Sequence, residues 1–94
     1  MSLTFEWDEQ KAEQNLRKHK ISFEEARTVF GDPSAITIPD PQHSASESRY
    51  VDIGYSSQGQ LLIVVYTERE PNIRIISCRR ATQRERRVYE EYDD

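Results

Sequence analysis

The chain has 94 residues, 32% of them charged and 35% hydrophobic, with a formal net charge of −4. That length supports one domain, 1–94, burying about 60–65% of its unfolded surface. The longest apolar run, Leu61 to Tyr66, is too short for a bilayer, the single cysteine excludes an internal disulfide, and no basic-then-apolar leader opens the chain; a cytoplasmic setting without a membrane partner is expected.

Leu3, Phe5 and Trp7 alternate with Thr4 and Glu6, the pattern of a short strand with one buried face. Asp8 is a suitable N-cap for a helix running to about His19, whose apolar side is thin: Ala12 and Leu16. Ser22 and Glu25 have capping-box spacing for a second helix, on which Phe23, Ala26 and Phe30 share a face with Val29 beside it. Gly31 is placed to end that helix, and Asp32-Pro33 prevents its continuation. A short strand is expected at Ala35 to Ile38, closed by Pro39-Asp40-Pro41 and followed by a polar loop, Gln42 to Ser48. Three strands then come in quick succession: Arg49 to Tyr55, with Val51, Ile53 and Tyr55 on one face; the continuous run Leu61 to Tyr66, suited to a central position; and Ile73 to Arg80. Thr82 and Glu85 repeat the capping box before a last helix, where Ala81, Val88 and Tyr92 line one stripe. The predicted architecture is α+β: an antiparallel β-meander with two N-terminal helices and one C-terminal helix packed on it.

Six arginines fall between residues 74 and 87 (Arg74, Arg79, Arg80, Arg84, Arg86 and Arg87), opposed there only by Glu85. The guanidinium fork matches phosphate and stays charged at any physiological pH. On an acidic chain this concentration predicts a polyanionic ligand, either a nucleic-acid backbone or an acidic protein. Strand alternation places Arg79 with Ile73 and Ile75, and Arg80 with Arg74 and Ile76 on the other face. In a regular meander Arg79 lies near Tyr55 and Arg49 near Arg74, the two ends being roughly 20 Å apart. Arg86 points away from the stripe of the last helix, towards solvent.

His43, Glu47 and Arg49 gather on or beside the polar loop, where His43 suits proton transfer and Glu47 could orient it. The simpler arrangement leaves His43 in solvent and Glu47 paired with Arg49. Arg79 likewise has the option of a structural ion pair at the strand end. His19, beside Lys18 at a helix end, suits the exposed carbonyls and the helix dipole. The two histidines and scattered carboxylates lack metal-ligand spacing, and the three glycines form no phosphate-cradling loop, so no cofactor is expected.

Several segments also resemble a known family in order and spacing. They are Phe5-Glu6-Trp7-Asp8-Glu9 with Lys11 and Asn15; Lys18-His19; Ile21 to Ala26; Val29-Phe30-Gly31-Asp32-Pro33; Asp40-Pro41-Gln42-His43; Glu47-Ser48-Arg49-Tyr50; Ile53-Gly54; and Ile73 to Ser77 through Arg79-Arg80-Ala81 to Glu85-Arg86 and Tyr89. The chain is similar over nearly its whole length to BrnT toxins. It departs from that pattern at Lys20, where the family has glycine, and at Cys78, where alanine is usual. The resemblance implies a bacterial type II toxin with a RelE-like ribonuclease fold, cleaving RNA without a metal and inhibiting translation. It also implies a ribbon-helix-helix antitoxin, through which alone the pair contacts operator DNA. Under that reading His43, Glu47, Arg49 and Arg79 are the catalytic candidates, and Lys18, Arg74, Arg80, Arg84 and Arg87 the RNA-binding ones. A non-catalytic module docking an acidic partner is the alternative. A direct DNA-binding repressor fits least, since the net charge is acidic and no helix is strongly basic.

Overall fold

Caps and alternation divide the chain into β1 (Thr4–Glu6), α1 (Glu9–His19), α2 (Phe23–Arg27), a single 3-10 turn (Thr28–Gly31), β2 (Ile36–Pro39), β3 (Arg49–Tyr55), β4 (Leu61–Arg69), β5 (Asn72–Arg80) and α3 (Gln83–Tyr92). The structure is a computed structural model describing residues 3–40, 48–69 and 71–92. Five strands make one sheet in the order β1-β5-β4-β3-β2. The meander β2 to β5 is antiparallel, as expected. The sheet as a whole is not: β1 joins the outer edge of β5 in parallel, pairing Thr4 with Asn72 and Glu6 with Arg74. The cause is local. Trp7 follows β1 directly and Asp8 starts α1, so the pairing stops after three residues, and among the described residues β5 beyond Arg74 has no strand on that side.

One face of the sheet carries the larger core. Ile21, Phe23, Ala26 and Val29 from the helical segment meet Leu62, Val64, Tyr66, Ile73, Ile75 and Cys78, with Phe5, Trp7 and Phe30 packed around them. Edge-to-face aromatic contacts run from Phe5 to Phe30 to Tyr66, at centroid distances of 5.1 and 4.9 Å. The opposite face holds a smaller cluster of Ile36, Ile53, Leu61, Ile63 and Tyr89. Gly54 marks the close approach of the helical segment to β3: a Cβ there would meet Ala35 Cβ at 2.9 Å and Val29 Cγ1 at 3.0 Å.

The helix ends follow their capping residues. Asp8 accepts from the Gln10 and Lys11 amides, and Ser22 accepts from the Glu25 amide. The Ser22 box closes on one side only, because the buried Glu25 carboxylate turns instead to Ser56 Oγ (2.6 Å) and Gln60 Nε2 (2.9 Å). Lys20, at the position expected to affect helix termination, ends α1 in the left-handed region at φ 63°, its amide donating to Leu16 O.

Three packing expectations need correction. On α1 the inward residue is Asn15, not Leu16, which is 50% exposed. Asn15 faces in because β5 lacks a neighbour there: its Oδ1 accepts the Cys78 amide (3.0 Å) and its Nδ2 donates to Ile21 O (3.0 Å). The expected second helix becomes a five-residue α-helix and a 3-10 turn, although Phe23, Ala26 and Val29 still point inward. On α3 the buried residue is Tyr89, whereas Val88 and Tyr92 are exposed. The helix is rotated towards Asp32, which accepts from Tyr89 Oη at 2.8 Å, and towards Tyr55, whose ring meets Tyr89 edge-on at 5.3 Å.

Candidate nucleic-acid interface

The arginine placement turns on a break in strand register. Val65 pairs with Ser77 and Tyr66 with Ile75, so one extra residue stands in β5 at Ile76. A bulge of this kind shifts the side-chain alternation by one. Arg79 therefore pairs with Ile63 and points away from the large core, while Arg80 pairs with Leu62 and turns towards α1. Simple alternation had assigned the opposite faces relative to Ile73 and Ile75. The register also places Arg79 level with Ile53 rather than Tyr55, and Arg49 level with Thr67 and Arg74. Arg49 and Ile53 are four residues apart in β3, about 13 Å along the strand. The offset between Arg49 and Arg79 along the strands is thus shorter than the roughly 20 Å expected.

Arg79 lies in a groove of ≈ 590 Å³. Ile38, Val51, Ile53, Ile63 and Val65 form its floor, α3 supplies Arg84, Glu85 and Val88 on one side, and α1 brings Lys18 and His19 to the rim. A smaller crevice, lined by Lys11, Asn15, Lys18, His19 and Ser77, adjoins it along the open edge of β5. Cys78 borders the groove too, but burial pushes its thiol up to about 12, so it is no thiolate nucleophile near neutrality.

Glu85 holds Arg79 by both carboxylate oxygens, Nη1 to Oε1 and Nη2 to Oε2, each at 2.8 Å. The same Glu85 completes the capping box of α3, accepting from the Thr82 amide at 2.8 Å while its own amide donates to Thr82 Oγ1. Arg79, aided by these caps, holds the Glu85 carboxyl down to about 2. The ion pair foreseen as the structural option for Arg79 therefore exists, but it does not exhaust the guanidinium. Of five donors, two go to Glu85 and one to Arg80 O (3.2 Å). Nε–H and the second Nη2–H have no partner among the described residues, and they form a second parallel fork. The side chain is 41% exposed.

The remaining arginines do not form one patch. Arg74 is paired with Glu6 at 3.1 Å, and Arg80 donates to Gln60 Oε1 (2.8 Å) and His19 O (3.3 Å). Arg86, expected in solvent, donates to Tyr55 Oη at 3.1 Å and is half-buried, because the rotation of α3 that buries Tyr89 carries it inward. Arg84 and Arg87 are exposed on α3, without hydrogen bond or ion pair among the described residues, and only Arg84 lines the groove. Asp40 donates its amide to Arg49 O, so the two residues bracketing the polar loop lie side by side. His43 and Glu47 lie outside the described residues. Among the described residues, no cluster of three His, Cys, Asp or Glu side chains is arranged to hold a metal.

His19 lies in the basic last turn of α1, as expected from the helix dipole, but neither ring nitrogen has a partner among the described residues, and the side chain lines both cavities.

The family described as "Ribonuclease toxin, BrnT, of type II toxin-antitoxin system" matches residues 7–85. The chain belongs to the BrnT family. Among solved structures it is similar to the ribonuclease toxin BrnT of Brucella abortus, with a TM-score of 0.68 over 87% of this chain and 100% of that one. Sequence identity is 24%, so that likeness is one of fold. No curated protein matches the chain. Membership of the BrnT family makes this a ribonuclease toxin by kinship, with an antitoxin as its partner. Both Lys18-His19 and Arg79 fall within the matched span, as does Glu85 at its end.

Proposed function

We propose that this BrnT-family chain is an endoribonuclease that binds RNA in the groove between α3 and the sheet. It acts in the cytoplasm, inhibits translation by cutting RNA without a metal, and is neutralised by a ribbon-helix-helix antitoxin that supplies the contact with operator DNA. The observation that carries the reading is Arg79, which has one fork fixed on Glu85, keeps two N–H donors without a partner among the described residues, and lines a groove edged by Lys18 and Arg84. Attack of a 2′-hydroxyl on the adjacent phosphorus places extra negative charge on the phosphoryl oxygens, and a preorganised guanidinium stabilises it. Arg79 takes that role, and Lys18 and Arg84 hold flanking phosphates. Arg74, Arg80 and Arg87 lie outside the groove lining and take at most peripheral contacts with a longer RNA. His43, Glu47 and Arg49 are the other candidates for this chemistry, His43 and Glu47 for proton transfer and Arg49 for phosphate.

Purified chain incubated with single-stranded RNA tests this. Arg79→Ala is expected to lower cleavage by about 10²–10³-fold, and Arg79→Lys to restore little, since an ammonium has no fork. Cleavage by Arg79→Ala at the native rate would defeat the assignment. The alternative, a module that binds without cutting, is favoured by the isoleucine and valine floor, which suits an apolar protein segment. Intact RNA at every pH, with tight antitoxin binding, would establish it.

A further inference from the structure

Cleavage through a 2′-hydroxyl requires proton exchange as well as charge stabilisation. The 2′-oxygen loses a proton and bonds to phosphorus, the bond from phosphorus to the 5′-oxygen breaks, and the 5′-oxygen gains a proton. The products are a 2′,3′-cyclic phosphate and a 5′-hydroxyl, with no oxidation or reduction. We propose that His19 exchanges one of these protons, the other passing to or from solvent water. This inference rests on the groove being the RNA site.

The position of His19 is fixed from β5. Residues Cys78 and Arg80 flank Arg79, and each bonds to α1: the Cys78 amide to Asn15 Oδ1 at 3.0 Å, and Arg80 Nη1 to His19 O at 3.3 Å. Asn15 and His19 are four residues apart, so they share one face of α1, the face set against the open edge of β5. That edge is open because β1 pairs with β5 only from Asn72 to Arg74. Side chains of α1 can therefore reach past β5 to the side where Arg79 points. Lys20 closes the helix in the left-handed conformation, which leaves His19 in the final turn, and its ring has no partner among the described residues. His19 is half-buried, and it borders the groove together with Lys18, Ser77 and Arg79. Of the described residues lining that groove, only His19 has a side chain that ordinarily both gives and takes protons near neutrality. Its task has no need of the bonds that anchor its backbone, so substitution leaves those anchors in place.

Cleavage of a short RNA is measured for the native chain, His19→Ala, His19→Gln and His43→Ala. Binding is measured separately with the same RNA carrying 2′-O-methyl groups, which cannot be cut by this route. The expected result is binding of the 2′-O-methyl RNA within about twofold of native for both His19 variants and a fall in cleavage of about 10²–10⁴-fold. One limb of the native pH–rate profile should vanish as well, and the limb lost identifies the proton transferred. Cleavage by His19→Ala within about threefold of native, or full loss in His43→Ala with His19→Ala unaffected, overturns the inference while leaving the ribonuclease reading intact. Native chain that binds RNA and cuts none removes both.

Discussion

Glu85 joins two tasks in a single carboxylate. It caps α3 through the Thr82 amide and grips Arg79, so the helix start and the guanidinium are fixed to each other. Its carboxyl is held down to about 2 from an ordinary 4.5. The stabilisation is therefore complete above about pH 4.5 and is lost as pH falls through about 2. Glu85→Gln keeps an oxygen for the Thr82 amide but loses the charge. Because Arg79 is 41% exposed and the pair is screened, the cost at pH 7 should be about 1 kcal/mol. Thermal unfolding at pH 7 and pH 2 checks this: the gap between native and variant should close at the lower pH. The capping role was legible in the sequence because Thr82 and Glu85 meet within one helical turn. The second role was only an option, because it depends on which face of β5 Arg79 occupies.

At the scale of elements, α3 is held by one buried ring, Tyr89, in the smaller apolar cluster and by polar contacts around it, not by an apolar stripe. Tyr89 Oη and the Tyr55 and Ser34 amides all donate to Asp32. Burial works to raise the Asp32 carboxyl, but these three donors outweigh it and leave it below the usual range. Tyr89→Phe keeps the ring against Tyr55 and removes one donor. It should cost about 1 kcal/mol and speed hydrogen exchange in α3 about fivefold, with β4 amides unaffected. Equal acceleration in β4 would mean that α3 does not open independently. The elements themselves were readable from alternation and caps, including β3 from Arg49 to Tyr55. Among the features hidden were the inward turn of Asn15 and the rotation of α3. Both answer to partners distant in sequence, the unpaired amide of Cys78 and the Asp32 carboxylate, which local periodicity does not record.

Taken whole, the molecule scatters the arginines that cluster in its sequence. Arg74 and Arg79 are matched with carboxylates, and Arg80 and Arg86 with neutral oxygens. A continuous basic surface is thus absent among the described residues. The positive charge around the groove is local, chiefly Lys18, Arg79 and Arg84, and under the proposed function it is these that meet RNA. Three phosphate contacts predict a slope of about −2 for log affinity against log salt with single-stranded RNA, reduced by about 0.7 in Arg84→Ala. A slope near −5 would mean that the wider set of arginines contributes equally.

The extra residue at Ile76 sets the phase between the two halves of β5. Ile73 and Ile75 reach the larger core from odd positions and Cys78 from an even one, so the strand changes parity without changing which face it buries. Deleting Ile76 would straighten the ladder and leave Arg79 opposite Ile63, still facing the groove, whereas deleting Ser77 and keeping the bulge would bring Arg80 to that position instead.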